Sequence, residues 1–460
     1  MIYIDKSLKE HIYLQIYNQI LKDILEGKLS SGTKLKGSRT LAEELGVSRN
    51  TVNSSYNQLE AEGYIESEKG KGFIVLEIPK LENYKLKKEI KKEDKFKNRN
   101  NKFKDKILFD LHFSNNIFPS VKWKKYSIEA INNYDIIFKE RDFKGSEFLR
   151  GQIKNHIYET RGVECDSEQI VITNGLQHSL ELISDLIFDK NDLIYIEDPC
   201  YHSAYSVLEE KVNIKRIPID NDGIKIHEIE NNKVKAIYTT PSHQFPTGIV
   251  MSIKRRYELL NWANENEVYI IEDDYDSEFT YYNKPIPSLQ SIDNAGRVIY
   301  LGTFSKSIST AIRMGYFVIP KNLLEKYRNK KESYGCRVSL LDQYTVARFI
   351  ESGDYKRHIR RLCSSFKKNH SAFVRGLKSM KDTIKIHTSG AGLWILIEII
   401  KDISLEELVR RARNEGVIVY GPENNWNQTN ENNKFVLLGL SHIKHKDIEI
   451  CIEKLKKAWK

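Results

Sequence analysis

Five short apolar runs, separated by amphipathic stretches, constrain this 460-residue chain more than any other feature. They are Ile170-Val-Ile-Thr173, Leu193-Ile-Tyr-Ile196, Lys235-Ala-Ile-Tyr-Thr239, Val268-Tyr-Ile-Ile271 and Val298-Ile-Tyr-Leu301. Near-continuous apolar runs of this length read as strands covered on both faces. Alternating with helical patterns, they predict an α/β fold with a mainly parallel sheet, spanning residues 109–460. Open sheets of this kind bind ligands beyond the carboxyl ends of their strands. The residues just after each run are therefore the first place to look for chemistry. No internal repeat at solenoid periods is present.

Residues 1–76 read as a separate small module. Ile12, Ile16, Ile20 and Ile24 recur every fourth residue and form one helix face ending at Gly27. A second helix spans Gly37-Ser-Arg-Thr-Leu-Ala-Glu-Glu-Leu45. After the turn Gly46-Val47-Ser48, a third runs from Arg49 to Glu62, with Ser48 placed to cap it. Val52, Tyr56 and Leu59 supply its core face, leaving Arg49, Asn50, Thr51 and Asn53 near its start. Small polar and basic residues there suit a major groove. Tyr64-Ile-Glu-Ser67 and Phe73-Ile-Val-Leu76 flank Glu68-Lys-Gly-Lys-Gly72, a two-stranded wing whose glycines let Lys69 and Lys71 approach phosphates. Candidate DNA contacts are Arg39, Ser48, Arg49, Asn50, Thr51, Asn53, Lys69 and Lys71. The alternative is a helical dimerisation or docking module with solvated charges, and ten bases against ten acids over 1–76 are compatible with it. A helix–turn–helix followed directly by a basic wing is more specific than either part alone. The run from Leu41 to Val52, with Leu59-Glu-Ala-Glu-Gly-Tyr64, resembles the GntR-type winged helix.

The net charge of +10 is concentrated in one place. Residues 77–108 hold twelve bases against six acids and lack packing periodicity. This stretch reads as a solvated linker, with a second, sequence-independent DNA contact as the alternative. Cys165, Cys200, Cys336, Cys363 and Cys451 are scattered and form neither a disulfide framework nor a metal-ligand spacing, so no metal is expected. No apolar run reaches the roughly 18 residues of a membrane span, and the first ten residues lack a secretory pattern. A reduced, cytoplasmic protein with no membrane partner is expected.

The chemistry follows the predicted strands. Lys306 stands just after the last run, between Ser305 and Ser307, with Thr303 before it and Arg313 seven residues on. A lysine leaving a strand end beside hydroxyls and an arginine suits a Schiff base to a cofactor aldehyde with its phosphate clamped. Ile271-Glu-Asp-Asp-Tyr275 places acids at another strand end. Asp273 suits the pyridine nitrogen of pyridoxal 5′-phosphate (PLP), and Tyr275 its phenolate oxygen. Thr173-Asn-Gly-Leu-Gln177 enters a helix through a glycine, which makes Gly175, Leu176 and Gln177 candidates for a phosphate cradle. Tyr201, after Glu197-Asp-Pro-Cys200, is placed to stack on the ring. Each motif alone is weak; a solitary lysine of this kind is usually a surface residue. Together, in this order and each at a strand end, they are hard to obtain by chance.

This set resembles the fold-type I PLP enzymes of the class I/II aminotransferase family. Joined to the winged helix it is similar to the MocR/GabR family of regulators, with Thr240-Pro-Ser-His-Gln-Phe-Pro-Thr-Gly248, Ile271-Glu-Asp-Asp-Tyr-Asp-Ser-Glu-Phe279 and Gly302-Thr-Phe-Ser-Lys306 close to that family's wording. The resemblance implies Lys306 as the Schiff-base lysine, with Asp273 on the pyridine nitrogen and Tyr275 on the phenolate. It also places Arg313, Ser305, Thr303 and Gln177 at the phosphate, His243 near the ring, and the chain in a head-to-tail homodimer. In GABA-responsive members two arginines grip the effector carboxylate. Here Ser203 and His442 stand at those positions, which argues against GABA and against efficient amino-acid transamination.

The leading expectation is a PLP-dependent regulator of operator DNA that senses PLP itself or a PLP–amine adduct. An aminotransferase with an accessory module is the rival, and a DNA-binding protein holding PLP only as structure is the third reading.

Overall fold

In the computed structural model the chain divides into two compact units, Met1–Phe96 and Lys97–Lys460. The structure describes residues 2–5, 10–68, 72–77, 108–112, 117–139, 142–230, 233–282, 286–330, 334–401, 403–427 and 435–459. Lys69, Lys71 and all but the ends of the 77–108 linker lie outside the described residues.

In the small unit, α1 (Ile12–Leu25) buries Ile16, Tyr17, Ile20 and Ile24, the face its spacing predicts. It packs with α2 (Ser38–Leu45) and α3 (Arg49–Ala61), which contributes Val52, Tyr56 and Leu59 to the same core. Ser48 caps α3 by accepting the Thr51 N–H at 3.1 Å. The Ser55 hydroxyl donates to the Tyr13 carbonyl at 2.7 Å and that of Tyr56 to the Lys36 carbonyl at 2.8 Å, tying α3 to α1 and to the segment before α2. β1 (Ile65–Glu68) and β2 (Gly72–Val75) pair antiparallel as the wing.

The large unit opens with β3 (Phe109–Asp110), followed by α4 (Ser120–Asn132), α5 (Tyr134–Ile137) and α6 (Glu147–Arg161). Its centre is an eight-stranded sheet. In chain order the strands are β4 (Ile170–Thr173), β5 (Leu193–Asp198), β6 (Asn213–Asp220), β7 (Gly223–Ile224), β8 (Val234–Thr239), β9 (Tyr269–Asp273), β10 (Val298–Thr303) and β11 (Gly315–Val318). In space they run β4-β11-β10-β9-β8-β5-β6-β7. β10, β9, β8, β5 and β6 are mutually parallel. β11 is antiparallel to both β10 and β4, so β4 points the same way as the parallel set. All five apolar runs are thus strands whose carboxyl ends face one side. β6, the two-residue β7 and β11 are additional to the five. β6 carries Lys215, Arg216 and Pro218 near the sheet edge, where polar side chains meet solvent. β11 is only four residues long.

β12 (Ile384–His387), β13 (Trp394–Ile399) and β15 (Phe435–Gly439) form a second, antiparallel sheet, while β14 (Val417–Ile418) pairs with β3. With helices Asp354–Leu377 and Ile448–Trp459, the second sheet closes its own apolar core. Among the described residues no helix is long and apolar enough to cross a membrane.

The start of the large unit is locked to its end at Gly439. The Gly439 N–H donates to the Leu111 carbonyl at 2.9 Å, and a Cβ there would collide with the His112 carbonyl oxygen. Gly439→Ala should cost about 3 kcal/mol, the upper end for overpacking, because backbone yields less readily than a side chain. A clear fall in thermal midpoint is expected. An unchanged midpoint would show that residues 108–112 yield without cost.

Candidate functional site

Beyond the carboxyl ends of β9 and β10 lies a cavity of about 130 Å³ that brings together Leu176, Tyr201, Asp273, Tyr275, Thr303, Ser305, Lys306 and Arg313. These sequence candidates come from four strand ends and the loop after β10. Lys306 lies three residues past the end of β10. Burial pushes its ammonium pKa down, against the opposing pull of Asp276 and Asp273. A lowered pKa enlarges the neutral, nucleophilic fraction of the amine.

Asp273 ends β9 and is buried. Burial raises its carboxyl to about 7, helped by Asp274 and Asp276 and resisted by a hydrogen bond from Tyr238 and by Lys306. Tyr275 reaches the cavity two residues on, where its hydroxyl donates to the His243 carbonyl at 2.7 Å. Tyr201 and Phe245 meet edge to face at 5.2 Å, and Trp394 stacks on Tyr275 at 6.1 Å.

At the other end of the cavity, β4 turns through Gly175 into α7 (Leu176–Ile187). The N-cap of α7 is Gly175, which has no side chain to offer, so the first N–H groups keep their capacity for an anion. Gly175 has φ +83°, and a Cβ there would sit 3.6 Å from the Arg313 guanidinium, so the arginine lies close to the helix start. Arg313 itself has φ +49°, a conformation rarely adopted by a residue with a side chain. Thr303 accepts the Ser305 N–H at 3.1 Å. An amine, a buried carboxylate and a cationic, hydroxyl-rich corner on one cavity match the aldehyde, ring nitrogen and phosphate of PLP.

The acids in and just after the end of β9 have separate fates. Glu272 accepts the N–H groups of Leu289 and Gln290 at 2.8 and 2.9 Å. Asp274 accepts from Arg161 at 2.7 Å and Tyr300 at 2.6 Å, and despite burial the Arg161 charge holds its pKa below the ordinary carboxylate value. Asp276 takes the imidazole of His243, Nδ1 to Oδ2 2.7 Å.

Other sequence candidates lie off the cavity lining among the described residues. The His243 ring lies tilted against Trp394 at 4.8 Å and faces Asp276. Gly175 is buried and Gln177 exposed beside the cavity. Ser203 sits in the helix His202–Glu209, whose start is held by Asn425. His442 lies 5.7 Å from the His112 ring, with its Nε2 buried and without a hydrogen-bond partner among the described residues.

In the small unit Arg39, Arg49 and Asn50 are exposed, and Asn53 is half-buried. Arg39 pairs with Glu43 at 3.2 Å, Arg49 donates to Ser38 at 3.4 Å, and the hydroxyls of Ser48 and Thr51 bond at 2.8 Å. Among the described residues no cluster of His, Cys, Asp and Glu could hold a metal.

Sequence reasoning missed Ser179, Phe245 and Thr310 on the cavity, and Tyr238 behind Asp273. Ser179 lies one helical turn after Gly175, a spacing that could have found it. Tyr238 sits inside an apolar run, where a tyrosine reads as core.

Comparison with known proteins agrees with this geometry. Residues 110–425 match the family described as aminotransferase class I and II, and residues 12–75 the bacterial regulatory proteins of the gntR family. The chain is 34% identical to an uncharacterised HTH-type transcriptional regulator, YdeL of Bacillus subtilis strain 168, covering 100% of this chain and 99% of that protein. It is 30% identical to the probable rhizopine catabolism regulatory protein MocR of Rhizobium meliloti, over 91% of this chain and 87% of that one. Pyrococcus horikoshii kynurenine aminotransferase, solved in complex with PMP, superposes with a TM-score of 0.68 at 25% identity, over 76% of this chain and 91% of that one. A winged helix of the gntR type and a class I/II aminotransferase fold, in one chain matched along its whole length by such a regulator, place the protein in the MocR/GabR family of HTH-type transcriptional regulators.

Proposed function

We propose that the chain regulates transcription through PLP. In this reading residues 1–76 read operator DNA, 77–108 link, and 109–460 hold PLP and report its state. The observation that carries this reading is the convergence of Lys306, Asp273 and Arg313 on one cavity in a chain that also has a capped helix–turn–helix. Bound PLP supplies an electrophilic carbonyl on an electron-withdrawing ring. Lys306 would offer its amine to the aldehyde, and Asp273 would hold a proton at the ring nitrogen. Arg313, Ser305, Thr303 and the start of α7 would hold the phosphate.

The effector is PLP itself, with PLP plus an amine as the rival, and the controlled genes belong to vitamin B6 or amino-compound metabolism. Ser203 and His442 support this reading, since neither is a bidentate cation for a carboxylate. A head-to-tail homodimer belongs to the same proposal. It is supported by apolar residues that the α4–α5 region leaves open to solvent, Val121 at 80%, Ile131 at 62% and Tyr134 at 50% exposure. The complete Lys306–Asp273 pair favours one second reading, a working aminotransferase with an accessory DNA module.

The test is binding of cofactor-free protein to DNA from its own upstream region, titrated with PLP and then with PLP plus amines. PLP alone should change affinity by about 5- to 150-fold, the usual span of coupling between two sites. A change that requires one amine would make that amine the signal. No DNA binding in any state, together with amine turnover, would sink the regulator.

Lys306→Ala should abolish the cofactor absorbance that survives dialysis and flatten the PLP response, while the cofactor-free affinity for DNA stays unchanged. A variant that still responds fully to PLP would exclude covalent capture as the signal.

A further inference from the structure

The hydroxyl of Tyr238 donates to Oδ2 of Asp273 at 2.5 Å, and both side chains are buried. The two residues lie on adjacent parallel strands, with Tyr238 of β8 opposite Ile271 of β9. Ile271 and Asp273, two apart, share a face of β9, so the tyrosine lies on the same face and its ring reaches one step along to the carboxylate. The ring packs in the apolar core shared by the sheet and α7, alongside Ile196, Ala236 and Ile271. Packing alone would be served by phenylalanine. The hydroxyl is the part that needs a reason.

We propose that Tyr238 is a positioning residue for the cofactor: it holds Asp273 as an anion, with Oδ2 fixed and Oδ1 left to meet the pyridine nitrogen. This rests on the PLP reading above. A carboxylate that must bond a ring N–H inside a dry cavity faces two hazards, rotation away from the ring and protonation. One short bond from a buried phenol answers both, because it fixes the carboxylate plane and stabilises the charged form. The other groups acting on this carboxyl include Asp274 and Asp276, which favour its neutral form, and Lys306, which favours the anion. Asp274 is itself engaged by Arg161 and Tyr300, and Asp276 by His243. Tyr238 is the hydrogen-bond donor recorded on Asp273 among the described residues.

The experiment uses the full chain with Tyr238→Phe, PLP, and a deaza analogue of PLP in which CH replaces the ring nitrogen. Removing the donor should weaken PLP binding about tenfold or more, or ~1.4 kcal/mol. It should leave binding of the analogue unchanged, because the analogue has no ring N–H for Asp273 to hold. Without the donor the carboxyl protonates at higher pH, so the loss of PLP affinity on acidification should begin at higher pH in the variant. Equal losses for PLP and analogue, or superimposable pH profiles, would overturn the role and leave Tyr238 as packing.

If the phenylalanine chain does not fold, the wild-type chain decides the matter. Burial, less the pull of the hydroxyl, leaves the carboxyl at about 7, so the preference for PLP over the analogue should be full above that pH and fade as pH falls through it. No preference for PLP over the analogue above about pH 7 would overturn the proposal. A wild-type chain that takes up no PLP overturns the PLP reading and this role together. PLP uptake without the Tyr238 effect overturns this role alone.

Discussion

Burying consecutive carboxyls at the end of a central strand is the constraint around which the large unit is organised. Glu272, Asp273 and Asp274 are all buried, and an unpaired buried charge costs several kcal/mol. β9 alternates their directions, so three different solutions are needed. Backbone N–H groups of Leu289 and Gln290 take Glu272, and Arg161 at the end of α6 takes Asp274. Asp273 accepts from Tyr238 and faces the cavity. The two neighbours turn into the protein onto these partners, and the one left facing the cavity is the one available to a ligand.

The same geometry explains why the site sits beyond the carboxyl ends of the central strands. Since β4, β8, β9 and β10 point the same way, Gly175, the loop after Thr239, Asp273 and Lys306 emerge on one side. β11 makes this possible: by running antiparallel between β10 and β4 it returns Arg313, just before its start, to the mouth of α7. The left-handed backbone at Arg313 is the local strain that accompanies this turn. The second sheet contributes too, since Trp394 at the start of β13 stacks on Tyr275 and meets His243 at a tilt. Two apolar cores therefore meet at the aromatic wall of the cavity.

Much of this was legible in advance because it depends on local pattern. Apolar runs of strand length marked β4, β5, β8, β9 and β10, and the residues after them included eight that line the cavity. A four-residue period and a Ser cap marked the reading head in the same way. β6 was harder to read, because a strand near the sheet edge carrying Lys215 and Arg216 has no continuous apolar signal. His243 followed family wording into the site, but its ring is turned to Asp276, a choice made by a charge 33 residues away that no local pattern carries.

What the sequence determined by itself was the kind of protein: which segments are strands, where a DNA-reading helix begins, and which lysine and aspartate follow strand ends. These are short-range facts of periodicity, capping and residue chemistry. Only the tertiary structure decided which of three adjacent acids faces the cavity, that Tyr238 bonds it, and that Arg313 comes back to α7. Each depends on strand order and register, which bring together residues tens of positions apart. A buried hydroxyl reads as core in a sequence until the carboxylate it meets is known.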